Sequence, residues 1–179
     1  PESGDRITEV AALRIAGGEI VDRYVSLVNC GVRIPPFITS LTGITQQMVD
    51  TAPLAKDVVP ELIEFIGGDT LAAHNASFDE KFLKAEGARL GHACRHAGLV
   101  CSVKLSRRVL PGMSSYKLGE LARSLGIAFR GTAHRAEADA EVAARLLLHI
   151  GRRLGESYGL APVAPELLVE INQIGRAHV

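Results

Sequence analysis

Two β-like runs open the chain, residues 6–16 and 19–28, and they meet at Gly17-Gly18, a pattern that predicts an antiparallel hairpin. Pro35-Pro36 breaks the chain before residues 37–41. Thr51 with Pro53 then opens a predicted helix, and Val59, Leu62, Ile63 and Ile66 give it an apolar stripe. Pro60 is expected to kink or split that helix, and Gly67-Gly68 to end it. Residues 70–74 form a short apolar run that predicts a buried strand, delivering His74 and Asn75 at its C-terminal end. Helical spacing follows over 77–89, a weak strand over 99–101, and a short helix over 103–110 stopped by Pro111-Gly112. A further helix spans 116–125, closed by Gly126, and a long one runs from about 137 to 154.

Strands alternating with helices after an antiparallel hairpin predict an α/β domain with a mixed β-sheet flanked by helices. A length of 179 residues with 47% apolar content fits one domain with a sizeable core. Lys plus Arg and Asp plus Glu both number 20, so no global basic field marks a non-specific nucleic-acid binder. A cleft enzyme gripping a few nucleotides remains compatible. No apolar run approaches a membrane span, so no membrane partner is expected. Cys30, Cys94 and Cys101 form no CxxC, which predicts a reducing, cytoplasmic setting. The run His92-Ala93-Cys94-Arg95-His96 reads as a polar loop with a free thiol rather than a zinc site.

The candidate chemistry lies in two segments, one with His74, Asn75, Phe78 and Asp79, the other with His134 and Asp139. In the last helix Val142, Ala143, Leu146 and Ile150 mark the buried face, and Asp139 precedes them at spacings that point it the same way. Phe82 and Leu83 place Asp79 likewise. A buried carboxylate needs a cation, a metal or several donors, and metal-assisted hydrolysis is the chemistry this suggests. The alternative is that both aspartates merely favour helix starts. His134, five residues before Asp139, is expected in a turn ahead of the helix, where it suits a general base.

His74-Asn75-Ala76-Ser77-Phe78-Asp79 and His134-x4-Asp139, with Leu41-Thr42-Gly43-Ile44-Thr45 before them, resemble motifs of the DEDDh 3′–5′ exonucleases. That ribonuclease-H-like group includes the proofreading subunit of bacterial DNA polymerase III. The likeness runs from about residue 4 to about 154. It implies a ribonuclease-H-like sheet and two-metal hydrolysis with Mg²⁺ or Mn²⁺, two ions in all. It implies Asp139 and Asp79 as metal ligands and His134 as the base taking a proton from the attacking water. It implies Asn75, Phe78, Thr42, Gly43 and Ile44 as contacts to the terminal nucleotide, with plain core packing the alternative for Phe78 and Ile44. The implied partner is a nucleic-acid 3′ end, single-stranded DNA first, and a DNA polymerase second.

One departure is expected to matter. The family's first motif, an Asp-x-Glu strand followed by Thr-Thr-Gly, does not precede the hairpin, and Glu2 and Asp5 are no substitutes. The first, central strand is therefore expected to be missing from this chain, leaving it inactive as written. The expected division is an exonuclease domain over 1–160, a C-terminal extension over 161–173, and a 174–179 tail resembling a translated sequencing adapter. Lys104, Arg107, Arg108, Lys117 and Arg135 are candidates for a phosphate track, and Phe78 and Tyr116 for base stacking. An exoribonuclease of the same fold, or a non-catalytic domain binding a polymerase or nucleic acid, are the competing readings.

Overall fold

The computed structural model describes residues 6–29, 31–129, 131, 134–160 and 162–174. Glu2, Asp5, Cys30 and residues 175–179, all invoked above, lie outside them. The expected hairpin is present: β1 (Glu9–Ala16) and β2 (Glu19–Leu27) pair antiparallel, with a register shift between Arg14 and Ile15 beside the turn. Gly17 and Gly18 both take positive φ, +58° and +83°, which side chains resist and a tight two-residue turn requires.

Three helices follow: α1 (Pro36–Thr42), α2 (Gln46–Asp50) and α3 (Ala55–Ile66). The helix expected from Thr51 begins instead at Ala55, because Thr51 closes α2, its hydroxyl donating to the Gln47 carbonyl. Pro60 does not split α3. It removes one ladder hydrogen bond, while Val58, Val59 and Leu62 around it are buried and hold the helix in place. Gly67 ends α3 as expected.

β3 (Thr70–Ala73) and β4 (Gly98–Cys101) form a parallel pair joined through α4 (Ala76–Arg89). The four strands thus fall into two pairs rather than one continuous sheet among the described residues. β3 is accordingly half-buried, with Ala72 exposed, and not the buried strand its composition predicted. The chain continues through α5 (Ser102–Val109), α6 (Leu118–Ser124), α7 (Ala136–Tyr158) and α8 (Pro165–Gln173).

The hairpin is held between two helices. Tyr24 donates to the Val58 carbonyl of α3 (3.2 Å), while its neighbour Arg23 reaches Glu137 and Glu141 of α7. Successive strand residues face opposite ways, so α3 and α7 cover opposite faces. Val10, Val28, Val59 and Leu62 make one core cluster, and Val100, Leu105, Leu146 and Ile150 another. All four residues of the predicted α7 stripe are buried.

The segment expected as an extension packs on β4. Asn172 accepts from the Cys101 N–H (3.1 Å) and its amide nitrogen faces the Leu99 carbonyl, standing in for a neighbouring strand along that edge. Arg108 binds the Ile171 and Ile174 carbonyls at the end of α8.

α4 carries an internal glycine for a steric reason. A Cβ at Gly87 would stand 2.5 Å from the His92 carbonyl oxygen, where the chain folds back and the His92 N–H bonds Gly87. Helix propensity alone favours Ala over Gly by about 1 kcal/mol. Gly87→Ala is nevertheless expected to destabilise, by about 1–3 kcal/mol as in overpacked cores. Urea denaturation measures it, and an unchanged or raised midpoint would show that the turn gives way freely.

Candidate active site

Two residues outside glycine take left-handed backbone among those described: Asn75 (φ +70°) and His134 (φ +67°). Such positions cost about 1–2 kcal/mol each and survive only where the surroundings impose them. Each stands at the entrance of one helix carrying a candidate aspartate. Asn75 is the residue before α4, and Asp79 lies in that helix's first turn. His134 is followed by Arg135, the residue before α7, with Asp139 in the first turn.

Neither helix has a side-chain cap at its N-cap residue. Their dipoles therefore point positive ends at the turns where the carboxylates stand, with the first N–H of α7, that of Ala136, taken by Glu9. Both aspartates lie in the first turn rather than at the N-cap, a placement that a plain preference for helix starts also allows. Asp139 accepts instead from the backbone N–H of His134 (3.3 Å), tying the strained turn to the helix it precedes.

Asp139 is half-buried, and its pKa is raised: desolvation outweighs the His134 N–H, and Glu9 adds repulsion while His134 and His74 attract. Asp79 corrects the expectation of burial. It shares a helical stripe with the buried Ala76 and Leu83, yet at the first turn, past the end of β3, the residue as a whole is exposed. Surrounding protein still strips water from the carboxylate and raises its pKa, opposed only by its own N–H. Among the described residues no Lys or Arg side chain pairs with either aspartate.

Desolvated carboxylates without a cation fit a hard divalent ion, for which carboxylate oxygens are the natural donors. The fit is partial. Among the described residues no three His, Cys, Asp or Glu side chains converge as a metal cage. The His92–His96 loop follows the same rule: His96 bonds Glu80 (2.9 Å) and Cys94 is a free thiol.

His74, at the end of β3, is locked. Its Nε2 lies 2.9 Å from the Tyr116 carbonyl, which can only accept, so Nε2 carries the proton. Nδ1 must then accept from the buried Ser102 hydroxyl, also at 2.9 Å. Desolvation lowers the His74 pKa, against the Tyr116 bond and the attraction of Asp139, which keeps the ring neutral at physiological pH. The ring thereby joins β3, α5 and the segment before α6 beneath Asn75.

The nucleotide-contact candidates divide. Asn75 and Phe78 are exposed, Phe78 at 57%, with its ring tilted against Phe82 (4.8 Å between centroids). Gly43 is exposed at φ +74°, while the Thr42 hydroxyl donates to the Ile38 carbonyl and accepts from the Ile44 N–H. Ile44 is 2% exposed and packed against Ile34 and Val49, so its side chain builds the loop and does not present itself to a ligand. Tyr116 is likewise no stacking surface, because its hydroxyl is held by the Leu110 carbonyl and its ring packs in the core. Of the candidate phosphate track, Arg108 is spent on α8 and Arg135 on Glu9, while Arg107 lies over the Tyr116 ring.

Glu9 was invisible to sequence reasoning. On β1, its side chain 7% exposed, it grips Arg135 with both oxygens and the Ala136 N–H with one. The only available signal was a charged residue inside an apolar strand pattern.

A family model for exonucleases, RNase_T, matches residues 1–147. The DNA polymerase III subunit epsilon of Aquifex aeolicus is 36% identical over 155 residues, covering 86% of this chain and 76% of that protein. The 3′-5′ exonuclease DinG of Bacillus subtilis is 37% identical over 154 residues, and this chain spans only 16% of its length. Among solved structures, Exonuclease X in complex with 5′ overhanging duplex DNA superposes with a TM-score of 0.69 at 27% identity, covering 93% of this chain and 90% of that one. The nuclease domain of 3′hExo, a DEDDh family member bound to rAMP, superposes with a TM-score of 0.71 at 22% identity over 89% of this chain and 86% of its own, a likeness of fold.

Proposed function

This chain belongs to the DEDDh exonucleases, a family of divalent-metal-dependent nucleases, and on that premise we propose that it acts as a 3′–5′ exonuclease releasing nucleoside 5′-monophosphates from DNA 3′ ends. Residues 1–160 form the catalytic domain in this reading, and α8 within 161–173 braces it. The observation that supports it most is the pair of left-handed residues, Asn75 and His134, each opening a helix that carries a desolvated aspartate.

Asp79 and Asp139 are the chain's own metal ligands, for Mg²⁺ or Mn²⁺, and the family's two-ion arrangement needs carboxylates beyond these two. Metal, when bound, supplies Lewis-acid activation of water and charge neutralisation at the phosphate. His134, exposed in its turn, accepts the proton from the attacking water on its imidazole. The His134 N–H holds the Asp139 carboxylate in place. Asn75 and Phe78 contact the terminal nucleotide, Phe78 offering an open ring face to the base. Gly43 allows the loop after α1 to approach the sugar closely, with Thr42 and Ile44 setting that loop's shape.

The DNA substrate, proofreading beside a polymerase and a cytoplasmic setting follow the epsilon-type relatives. Binding of the product tests the reading without requiring turnover. Mn²⁺ with thymidine 5′-monophosphate is expected to shift or broaden the NMR resonances of Asn75, Phe78, Asp79, His134 and Asp139. Resonances that stay unmoved at millimolar nucleotide would refute it.

A further inference from the structure

Three glutamates are held out of water by arginines. Glu86 joins Arg6 and Arg89, and Glu141 joins Arg23 and Arg145 further along α7. Glu9 differs in where its ion pair lands. Arg135 Nε lies 3.1 Å from each carboxylate oxygen, Arg135 Nη2 2.6 Å from Oε1, and the Ala136 N–H 2.8 Å from Oε2. Three N–H groups thus hold the two oxygens, the single Arg135 Nε–H shared between them, and commit Glu9 to the entrance of α7. It clamps the two residues that follow His134, from a strand 126 residues away in sequence.

His134 sits in a backbone conformation that costs energy, and its own N–H bonds Asp139 Oδ1. The N-cap residue Arg135 makes no side-chain cap of its own, so the local tie at this turn among the described residues is the one from Asp139. The Glu9 clamp occupies the first orphan N–H of the helix and fixes Arg135 against β1, so the turn must bend where it does. From this we infer that Glu9 is a positioning residue, holding the His134 turn and the Asp139 carboxylate in their relative orientation through Arg135 and the Ala136 N–H. The inference rests on the metal-site reading above and extends it to the shell behind the ligands.

The 179-residue chain itself serves for the test. Glu9→Gln keeps an acceptor for Ala136 but breaks the ion pair, Arg135→Lys keeps the charge but loses the fork, and Glu86→Gln breaks a comparable buried pair elsewhere. Thermal midpoints should fall for Glu9→Gln and Glu86→Gln alike. Amide hydrogen exchange at His134 and the Kd for Mn²⁺ should change only at the clamp. Glu9→Gln is expected to speed His134 exchange and to weaken Mn²⁺ about tenfold, the usual effect of losing a group that orients a ligand. Arg135→Lys should fall between. If Glu9→Gln and Glu86→Gln behave alike in both readouts, Glu9 is only a structural tie. If the wild-type chain binds no Mn²⁺, the metal reading fails separately, and His134 exchange still decides whether Glu9 positions the turn.

Discussion

A strand bearing Asp-x-Glu, taken from an epsilon-type relative and fused ahead of residue 1, is expected to raise Mg²⁺-dependent mononucleotide release from single-stranded DNA by a factor on the order of 10³ over the 179-residue chain. The reason is a shortage of ligands. Among the described residues Asp79 and Asp139 are desolvated with no Lys or Arg partner and no third acid beside them, and Glu9 is consumed by Arg135. Magnesium accepts one or two carboxylates when waters and substrate phosphates complete its shell, but two ions side by side need more negative charge than two carboxylates give. Several kcal/mol of transition-state stabilisation are expected from the added ligands, and each 1.4 kcal/mol is about tenfold in rate.

The sheet points the same way. β1 pairs only with β2 and β3 only with β4 among the described residues, so no ladder joins the two pairs, and the added strand is expected to supply one. Asp139→Asn in the fusion should return the rate to that of the unfused chain. Robust turnover by the unfused chain with Mg²⁺, or no gain on fusion, would each defeat the argument.

What could be read from the sequence was what periodicity and backbone chemistry dictate locally. Gly17-Gly18 can do little but turn, and Val142, Ala143, Leu146 and Ile150 can share one side only on a helix, so the hairpin and α7 were legible. The helix over 55–66 was legible as an element but not in its start, because Thr51 serves as an end where its hydroxyl can reach back to Gln47. Tertiary context decided the rest. Asp79 has the spacing of a buried residue, but burial depends on what covers the mouth of α4, which spacing does not encode. Ile44 and Tyr116 look alike as contact residues and both turn inward, one into a core beside Val49, the other onto the Leu110 carbonyl. The left-handed turns at Asn75 and His134 carry no glycine to announce them, and the Glu9–Arg135 pairing, 126 residues apart, leaves no local trace.

Asp139→Asn is expected to stabilise the metal-free chain at neutral pH while removing its response to divalent metal. Burial raises the Asp139 pKa above the ordinary carboxylate value of 3.8, so holding the ionised form inside the fold costs free energy. The sign follows by linkage: the folded state binds the proton more tightly than the unfolded chain, so stability falls as pH rises through the interval between the two pKa values. Asparagine carries no charge to desolvate, and its side-chain carbonyl still accepts the His134 N–H. Its advantage is therefore full above the folded-state pKa and closes as pH falls below 3.8, where wild-type Asp139 is also neutral. At pH 7 without metal a gain of roughly 1–4 °C in the thermal midpoint is the scale to look for in a domain of this size. Saturating Mn²⁺ should reverse the order, since metal bound only by the folded wild type adds stability by mass action that the variant cannot collect. A carboxylate kept at a cost in the empty site and repaid by its ion is what separates a functional aspartate from a helix-start one. Were wild type the more stable without metal at pH 7, or Mn²⁺ equally stabilising to both, Asp139 would belong to the second kind.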